Sequence, residues 1–517
     1  MSFYTRGQTR RSLIDTVSFR ALSQICTILG YVVLVRGMSK EDFGVFNLLY
    51  AFIPVVSTIA SLGLEQTLRR YQPEYLQAGN RAGAAWLVRF VSSARFGTTV
   101  ILLSLILLGW NQVAPIFKLT QYRAEFVLFC LLVILHFQAG ILQISLASHM
   151  LQRFSVGATA ILAAVKLAAY WVLWLHDALT LEHAIIADTV AYGATFAFVF
   201  CAYRIYCALA TPRDEYRPDP IERRRLVRYG VFNNFNDAGT LILSSKSDSF
   251  FIAAIIDPLS VGIYAFYTRL SEMAQQLLPV RLFENVVQPI FFAVPTEEAD
   301  QKLPRYFSLL LNLNLLMQWP ILAYAIAYHA EIVQVVFGGK FIEQSWLLPV
   351  IVGFSTFNVI SVPVTLVAQY EEKVQVILWS KLFGIYNVAA ILALLPVAGV
   401  YGAAIASGSA QALKNLYIWW HVRDRATWTN ARAAVLSSVA LWGGVVGVCY
   451  LLKLGSIGSD ILHLCLGVLV VCMGGLLHVR GPAISSDNRM LLASVLRGRE
   501  ARLLTVLGIL RGAGRSR

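Results

Sequence analysis

Phe126-Val127-Leu128-Phe129-Cys130-Leu131-Leu132-Val133-Ile134-Leu135-His136-Phe137-Gln138-Ala139-Gly140-Ile141-Leu142-Gln143-Ile144-Ser145-Leu146-Ala147-Ser148 runs for 23 residues without a Lys, Arg, Asp or Glu. About 20 such residues, coiled as a helix, cross a hydrocarbon core of roughly 30 Å. Comparable blocks recur along all 517 residues, of which 57% are hydrophobic and 14% charged. A soluble domain carries about 25% charged residues, so the fold class is an all-α integral membrane protein. The blocks place spans at about 15–36, 42–64, 86–109, 124–148, 154–175, 183–207, 229–256, 261–293, 306–328, 344–370, 374–395, 398–420, 433–453 and 459–479, about fourteen transmembrane helices. The first begins near Asp15 and flows into the second, so it is read as a span and not as a cleaved signal peptide.

The chain holds 43 Lys+Arg against 29 Asp+Glu, a net charge of +14. In a soluble protein that excess suggests nucleic acid; in a polytopic one it has a plainer source, the enrichment of Lys and Arg in cytoplasmic loops. Of the 43, 29 fall in alternate connections and the two termini, among them Arg69, Arg70, Arg81, Arg89, Arg213, Arg217 and Arg223 to Arg228. Six fall on the opposite side (Arg36, Lys40, Lys118, Arg123, Lys340 and Lys453) and eight lie within spans. Both termini are therefore expected in the cytoplasm, in a cell inner (cytoplasmic) membrane of bacterial type, with no nucleic-acid partner. The seven cysteines, Cys26, Cys130, Cys201, Cys207, Cys449, Cys465 and Cys472, have no paired spacing and no companion histidines. They read as small hydrophobes, so neither a disulfide frame nor a metal site is expected.

An internal repeat divides the chain. Phe43-Gly44-Val45-Phe46 enters span 2 and Val261-Gly262-Ile263-Tyr264 enters span 8, while His183-Ala184-Ile185-Ile186-Ala187 and Gly402-Ala403-Ala404-Ile405-Ala406 open spans 6 and 12. The two offsets, 218 and 219, agree to one residue. An even number of spans per copy makes the halves parallel, related by an axis along the membrane normal. The expected organisation is a six-helix half over 1–208, a basic cytoplasmic linker over 209–228 and a second six-helix half over 229–421. Two accessory helices follow in 422–484, then a basic tail over 485–517 whose leucines and arginines suit an amphipathic helix on an anionic leaflet.

Ionisable groups inside spans cost a few kcal/mol each and face a cavity or a partner. Arg20, Arg95, Lys166, Lys246, Arg269, Arg281, Lys381 and Lys414 are the cations; Asp188, Asp248, Glu272 and Glu284 are the carboxylates; His136 joins them. Span 8 is the most polar: Arg269, Glu272, Gln276, Arg281, Glu284 and Gln288 occupy about half of its circumference, with Pro279 as a hinge. Two readings stand there, a polar lining or mutual neutralisation of Arg269 with Glu272 and Arg281 with Glu284 at i,i+3 spacing. Arg20, Arg95 and Lys414 sit near inner helix ends, where snorkelling is an alternative. His136 and Asp188 read as structural hydrogen-bonders before a proton relay. A net-cationic interior suits an amphiphile with an anionic head. With neither GxxxxGK[ST] nor a Rossmann glycine cluster, no nucleotide cofactor is expected.

Residues 29–46, Leu29-Gly30-Tyr31 through Phe43-Gly44-Val45-Phe46, resemble the opening of polysaccharide transporters in the MOP flippase superfamily. Ser61-Leu62-Gly63-Leu64 with Arg70-Tyr71-Gln72-Pro73-Glu74-Tyr75 is similar to that family's exit from span 2. Asp257-Pro258-Leu259-Ser260-Val261-Gly262-Ile263-Tyr264 looks like its span 7–8 junction, and Pro396-Val397-Ala398-Gly399-Val400-Tyr401-Gly402 like its span 11–12 junction. The resemblance implies a Wzx-type flippase, not an enzyme, moving an undecaprenyl-diphosphate-linked oligosaccharide to the outer leaflet, with membrane lipid and polysaccharide polymerase machinery as partners. It implies that spans 1, 2, 7 and 8 line the cavity, which puts Arg20, Lys246, Asp248, Arg269 and Arg281 near the head group. Glu272, Glu284, Lys166 and Lys381 complete the candidate substrate-binding set. The alternatives are a drug-cation exchanger, which calls for a carboxylate-dominated site, and a membrane polymerase or ligase, which calls for a large outer loop. No outer connection expected here exceeds roughly 17 residues.

Overall fold

The computed structural model describes residues 6–208, 220–276, 278, 291–292, 294–428, 431–455 and 459–480. Among them every regular element is a helix, so each crossing satisfies its own backbone groups without water. Eleven helical stretches are long and apolar enough to cross a membrane. The linker core 209–219, Pro279, Arg281, Glu284, Gln288 and the tail from Ser485 lie outside the described residues. The chain divides into two compact units, Met1–Gly262 and Ile263–Arg517.

The first unit opens with α1 (Arg6–Gly37) and α2 (Lys40–Ser61). The Ser39 hydroxyl accepts from the Asp42 amide at 3.0 Å, and Glu41 and Asp42 place negative charge on the first turn of α2, both favourable at a helix N-terminus. The segment after span 2 is not a simple loop: it holds α3 (Leu64–Gln77), amphipathic and polar on one face. Then come α4 (Arg81–Leu108), α5 (Trp110–Ile116), α6 (Arg123–Ser148), α7 (Gln152–Leu175) and α8 (Leu181–Tyr203). Expected span 7, 229–256, is two helices instead of one, α9 (Pro220–Ile242) and α10 (Ser245–Ile255). Serines make the break. Ser244 Oγ donates to the Leu241 carbonyl at 2.6 Å and Ser247 Oγ to the Ile242 carbonyl at 2.9 Å, local bonds that compete with the helical ladder.

Next, α11 (Pro258–Gln275) starts with proline at its first position and an Asp257 cap on the Ser260 amide at 2.6 Å. Here α2 and α11 touch backbone to backbone. A Cβ on Gly44 would stand 2.2 Å from the Pro258 carbonyl oxygen, and one on Gly262 would stand 2.9 Å from the Gly44 Cα. Only glycine permits that approach, and the two glycines are repeat mates.

The second unit continues with α12 (Ala299–Phe337), bent at Tyr328, then α13 (Leu347–Asn358), α14 (Ser361–Tyr370), α15 (Val374–Trp379) and α16 (Phe383–Val422). α16 has two arms. Gly399, at φ 54° and ψ −139°, reverses the chain in a conformation costly for any residue with a Cβ. The arms then run back along each other, with Ser407 bonded to Asn387 at 3.3 Å and the Phe383 and Tyr417 rings 5.9 Å apart. Two further helices, α17 (Ala431–Gly455) and α18 (Asp460–Arg480), pack on α12. A count of fourteen also needs α9–α10 and α11 as crossings. The first is broken, and the second is short and polar within the described residues, so that number stays an expectation.

Candidate functional site

Among the described residues, a cluster of buried polar groups lies in the first unit, where α7 folds back on α8 through a five-residue turn. Lys166 and Asp188 are each eleven residues from Asp177 in that turn, so the antiparallel arms bring them level. They form an ion pair at 2.8 Å, with the Asp188 side chain fully buried and Lys166 20% exposed. Asp188 also accepts from the Tyr170 hydroxyl at 2.5 Å and from the Tyr50 hydroxyl, and Lys166 donates to Tyr50 at 3.1 Å. The Lys166 ammonium stands 4.8 Å from the centre of the Tyr192 ring, which meets His136 edge-on at 4.9 Å. Helices α2, α6, α7 and α8 thus converge on one charge pair. Desolvating such a pair costs several kcal/mol per ion, offset only when the remaining lone pairs and protons are satisfied. Two tyrosine hydroxyls, of Tyr50 and Tyr170, supply that here, and the Tyr192 ring faces the ammonium.

A second centre sits beside it. Arg95, fully buried on α4, donates to the Ser57 carbonyl at 2.8 Å and hydroxyl at 2.9 Å and pairs with Glu65 of α3 at 3.2 Å. Its guanidinium lies 4.2 Å from the Phe137 ring centre. Arg95 therefore does not snorkel: α3 carries a carboxylate back to meet it. A cavity of about 400 Å³ opens against this centre, lined by Pro54, Ser57, Glu65, Arg69, His136 and Gln143 among others.

Of the candidate substrate-binding residues, Lys166 belongs to the first centre, with Asp188. Arg20 is exposed on α1; Lys246 is half-buried and Asp248 fully buried in the first turn of α10. Arg269 and Glu272 pair with each other on α11 at 3.4 Å, each 36% exposed. Lys381 is half-buried in the single turn Ser380–Leu382. Arg281 and Glu284 fall outside the described residues. Sequence reasoning left out Glu65, Tyr50, Tyr170 and Tyr192, and it left Lys166 and Asp188 unpaired. The pairing had a signal, equal distance from a short turn. Glu65 had none, since its segment reads as a loop. In the second unit Lys453 of α17 pairs with Glu331 of α12 at 2.5 Å. No group of three His, Cys, Asp or Glu able to hold a metal occurs among the described residues.

The sequence pattern of the family described as "Polysaccharide biosynthesis protein" matches residues 33–346. The fold is similar to a structure titled "Lipid II flippase MurJ, inward closed conformation", at TM-score 0.68 and 11% identity over 90% of this chain and 98% of that one. It is also similar to an inward-facing multidrug resistance MATE family transporter of the MOP superfamily, at TM-score 0.60 and 13% identity over 80% and 98%. A MATE structure in the bent conformation gives 0.51 and 13% over 82% and 98%. At these identities the likeness concerns the fold alone, that of a multi-pass helical membrane protein. No curated protein matches the sequence.

Proposed function

This chain belongs to the polysaccharide biosynthesis protein family, and from that premise we propose that it is a lipid-linked oligosaccharide flippase. It moves an undecaprenyl-diphosphate-linked saccharide from the inner to the outer leaflet, for O-antigen or exopolysaccharide synthesis, by alternating access through a cationic cavity. One observation supports this most: among the described residues, four carboxylates on the helices already face cations. Asp188 faces Lys166, Glu65 faces Arg95, Glu272 faces Arg269 and Glu331 faces Lys453. An exchanger of organic cations needs a carboxylate that its cargo can neutralise. An anionic diphosphate instead suits an interior in which Lys and Arg outnumber Asp and Glu, because guanidinium and ammonium groups bind phosphate strongly once partly desolvated.

In this reading the protein gives its cavity access to one leaflet and then to the other, with both termini in the cytoplasm of a cell inner membrane. The carrier's tail stays in lipid while its head group passes through the protein. The test is deletion of the protein in its own cell. The expected result is a lipid-linked oligosaccharide trapped on the cytoplasmic face, and normal delivery to the outer face would end the proposal. Labelling of residue 215 from the outer face would overturn the orientation alone.

A further inference from the structure

A second cavity, of about 220 Å³, lies in the first unit where helix ends gather on one face. Its walls come from the second half of α3, the start of α4, the end of α6 and the π-helical turn Arg204–Ala208 that follows α8. Gln72, Arg81, His149, Tyr203 and Tyr206 are its polar lining residues, and no carboxylate lines it.

Three features give the space a chemistry. First, cations crowd it. Arg81 lines it, Arg153 lies 5.7 Å from the Tyr206 ring centre and 4.6 Å from that of Phe154, and Arg89 and Arg204 are within electrostatic reach of Tyr203. The first turn of α4 adds its dipole to Arg81, which favours an anion there. Second, Gln72 is fully buried. Its amide nitrogen donates to Ser145 Oγ at 2.6 Å, while its amide oxygen has no partner. A buried acceptor without a donor costs about 1–3 kcal/mol, and a hydroxyl-bearing ligand would meet it. Third, the rim is amphipathic. Tyr206, which lines it, is exposed, and so is its neighbour Ile205. Tyrosine is enriched at the depth of lipid head groups.

We infer that this cavity binds a phosphate ester carrying a neighbouring hydroxyl, the chemistry of a phosphoglycerol head group, with Arg81 on the phosphate and the Gln72 amide oxygen on the hydroxyl. This site is separate from the pair at Lys166 and does not depend on the transported substrate. Such a group arrives either on a membrane lipid or as a soluble glycerol phosphate. Burial, and to a lesser degree Arg81, lower the pKa of His149 from its ordinary 6.5 against the pull of the Ser145 carbonyl, so the positive charge at the site comes from arginine.

The test uses the purified full-length protein, freed of co-purifying lipid. Retention of phosphatidylglycerol and phosphatidylcholine is compared by native mass spectrometry, with a parallel thermal-shift series in glycerol 1-phosphate. Wild type should retain phosphatidylglycerol in preference to phosphatidylcholine, and Arg81→Gln should weaken that retention by about tenfold or more, as loss of a charge-assisted bond does. Arg81→Lys should recover part of it, and Arg153→Gln, a change at an exposed residue, should cost severalfold even if Arg81→Gln folds poorly. Stabilisation by glycerol 1-phosphate without lipid preference, lost in the same variants, supports the site with a soluble ligand. Equal retention of the two lipids with no response to glycerol 1-phosphate, or wild-type retention in both Arg81→Gln and Arg153→Gln, overturns it.

Discussion

Positions one offset apart in the repeat read from the sequence are held differently. In the first unit, Asp188 of α8 meets Lys166 of α7 as a full ion pair at 2.8 Å. An offset of 219 carries Asp188 to Ser407 and Tyr192 to Gln411 in α16. There Ser407 donates to the Asn387 amide oxygen at 3.3 Å, Asn358 donates to Gln411 at 2.7 Å, and Asn415 donates to Asn358 at 2.9 Å. One hairpin carries a charge pair between its arms; its counterpart carries a hydroxyl–amide bond there, with amide bonds from α13 beside it. Since the neutral version suffices to pack such a hairpin, stability alone does not call for the ionic one. A buried ion pair is often no more stabilising than a neutral replacement, though removing one partner is severe. The place where the copies agree is equally informative: Gly44 and Gly262, repeat mates, are pressed against one another.

The largest effect should come from breaking the charged copy. Asp188→Ala leaves Lys166 buried and unneutralised, and should cost about 3–5 kcal/mol, read as a fall in denaturant midpoint or as lost membrane-inserted protein. A loss below about 1 kcal/mol would mean that the pair is not what closes this hairpin. Gly44→Ala should come next. Its Cβ would collide with backbone, not with a yielding side chain, so about 1–3 kcal/mol of overpacking is expected, together with reduced export. Transplanting the neutral chemistry is the sharpest comparison. Lys166→Asn combined with Asp188→Ser should fold within about 1 kcal/mol of wild type. Export by that double variant then decides whether the charge is structural or used: full export says structural, folded protein without export says used. The smallest stability change belongs to Arg269→Ala, whose pair with Glu272 is over one-third exposed and worth less than about 1 kcal/mol. Export should nevertheless fall, and wild-type polymer output at normal expression would remove Arg269 from the head-group site.

What the sequence makes legible follows from which forces are local. Apolar length and loop charge are local, so the helical membrane fold and the turn near Pro396–Gly399 can be read directly. The break at Leu243–Ser244 is missed because its serines lie in a block still apolar enough to read as one span. The polar centre is half legible. Lys166 and Asp188 stand out as charges in apolar runs, yet the tyrosines that satisfy Asp188 come from α2 and α7 and are ordinary residues in sequence. Glu65 is invisible as a partner because pairing with Arg95 depends on α3 returning toward α4.

The five-residue turn between α7 and α8 also bears on how the protein is made. A nascent helix that leaves the translocon for lipid with a lysine near its middle carries a penalty of about 3 kcal/mol. α7 emerges first and bears Lys166; its counter-charge is still to be synthesised, 22 residues later. Release as a closed hairpin removes the penalty, whereas release one helix at a time does not. A chain truncated after Leu175 should therefore insert its last helix poorly in a glycosylation-mapping assay, and extension through Tyr203 should rescue it. Equal insertion of the two lengths would mean that α7 partitions on its own hydrophobicity. The charge pair thus fixes an order of membrane entry, with α8 acting as the escort of α7.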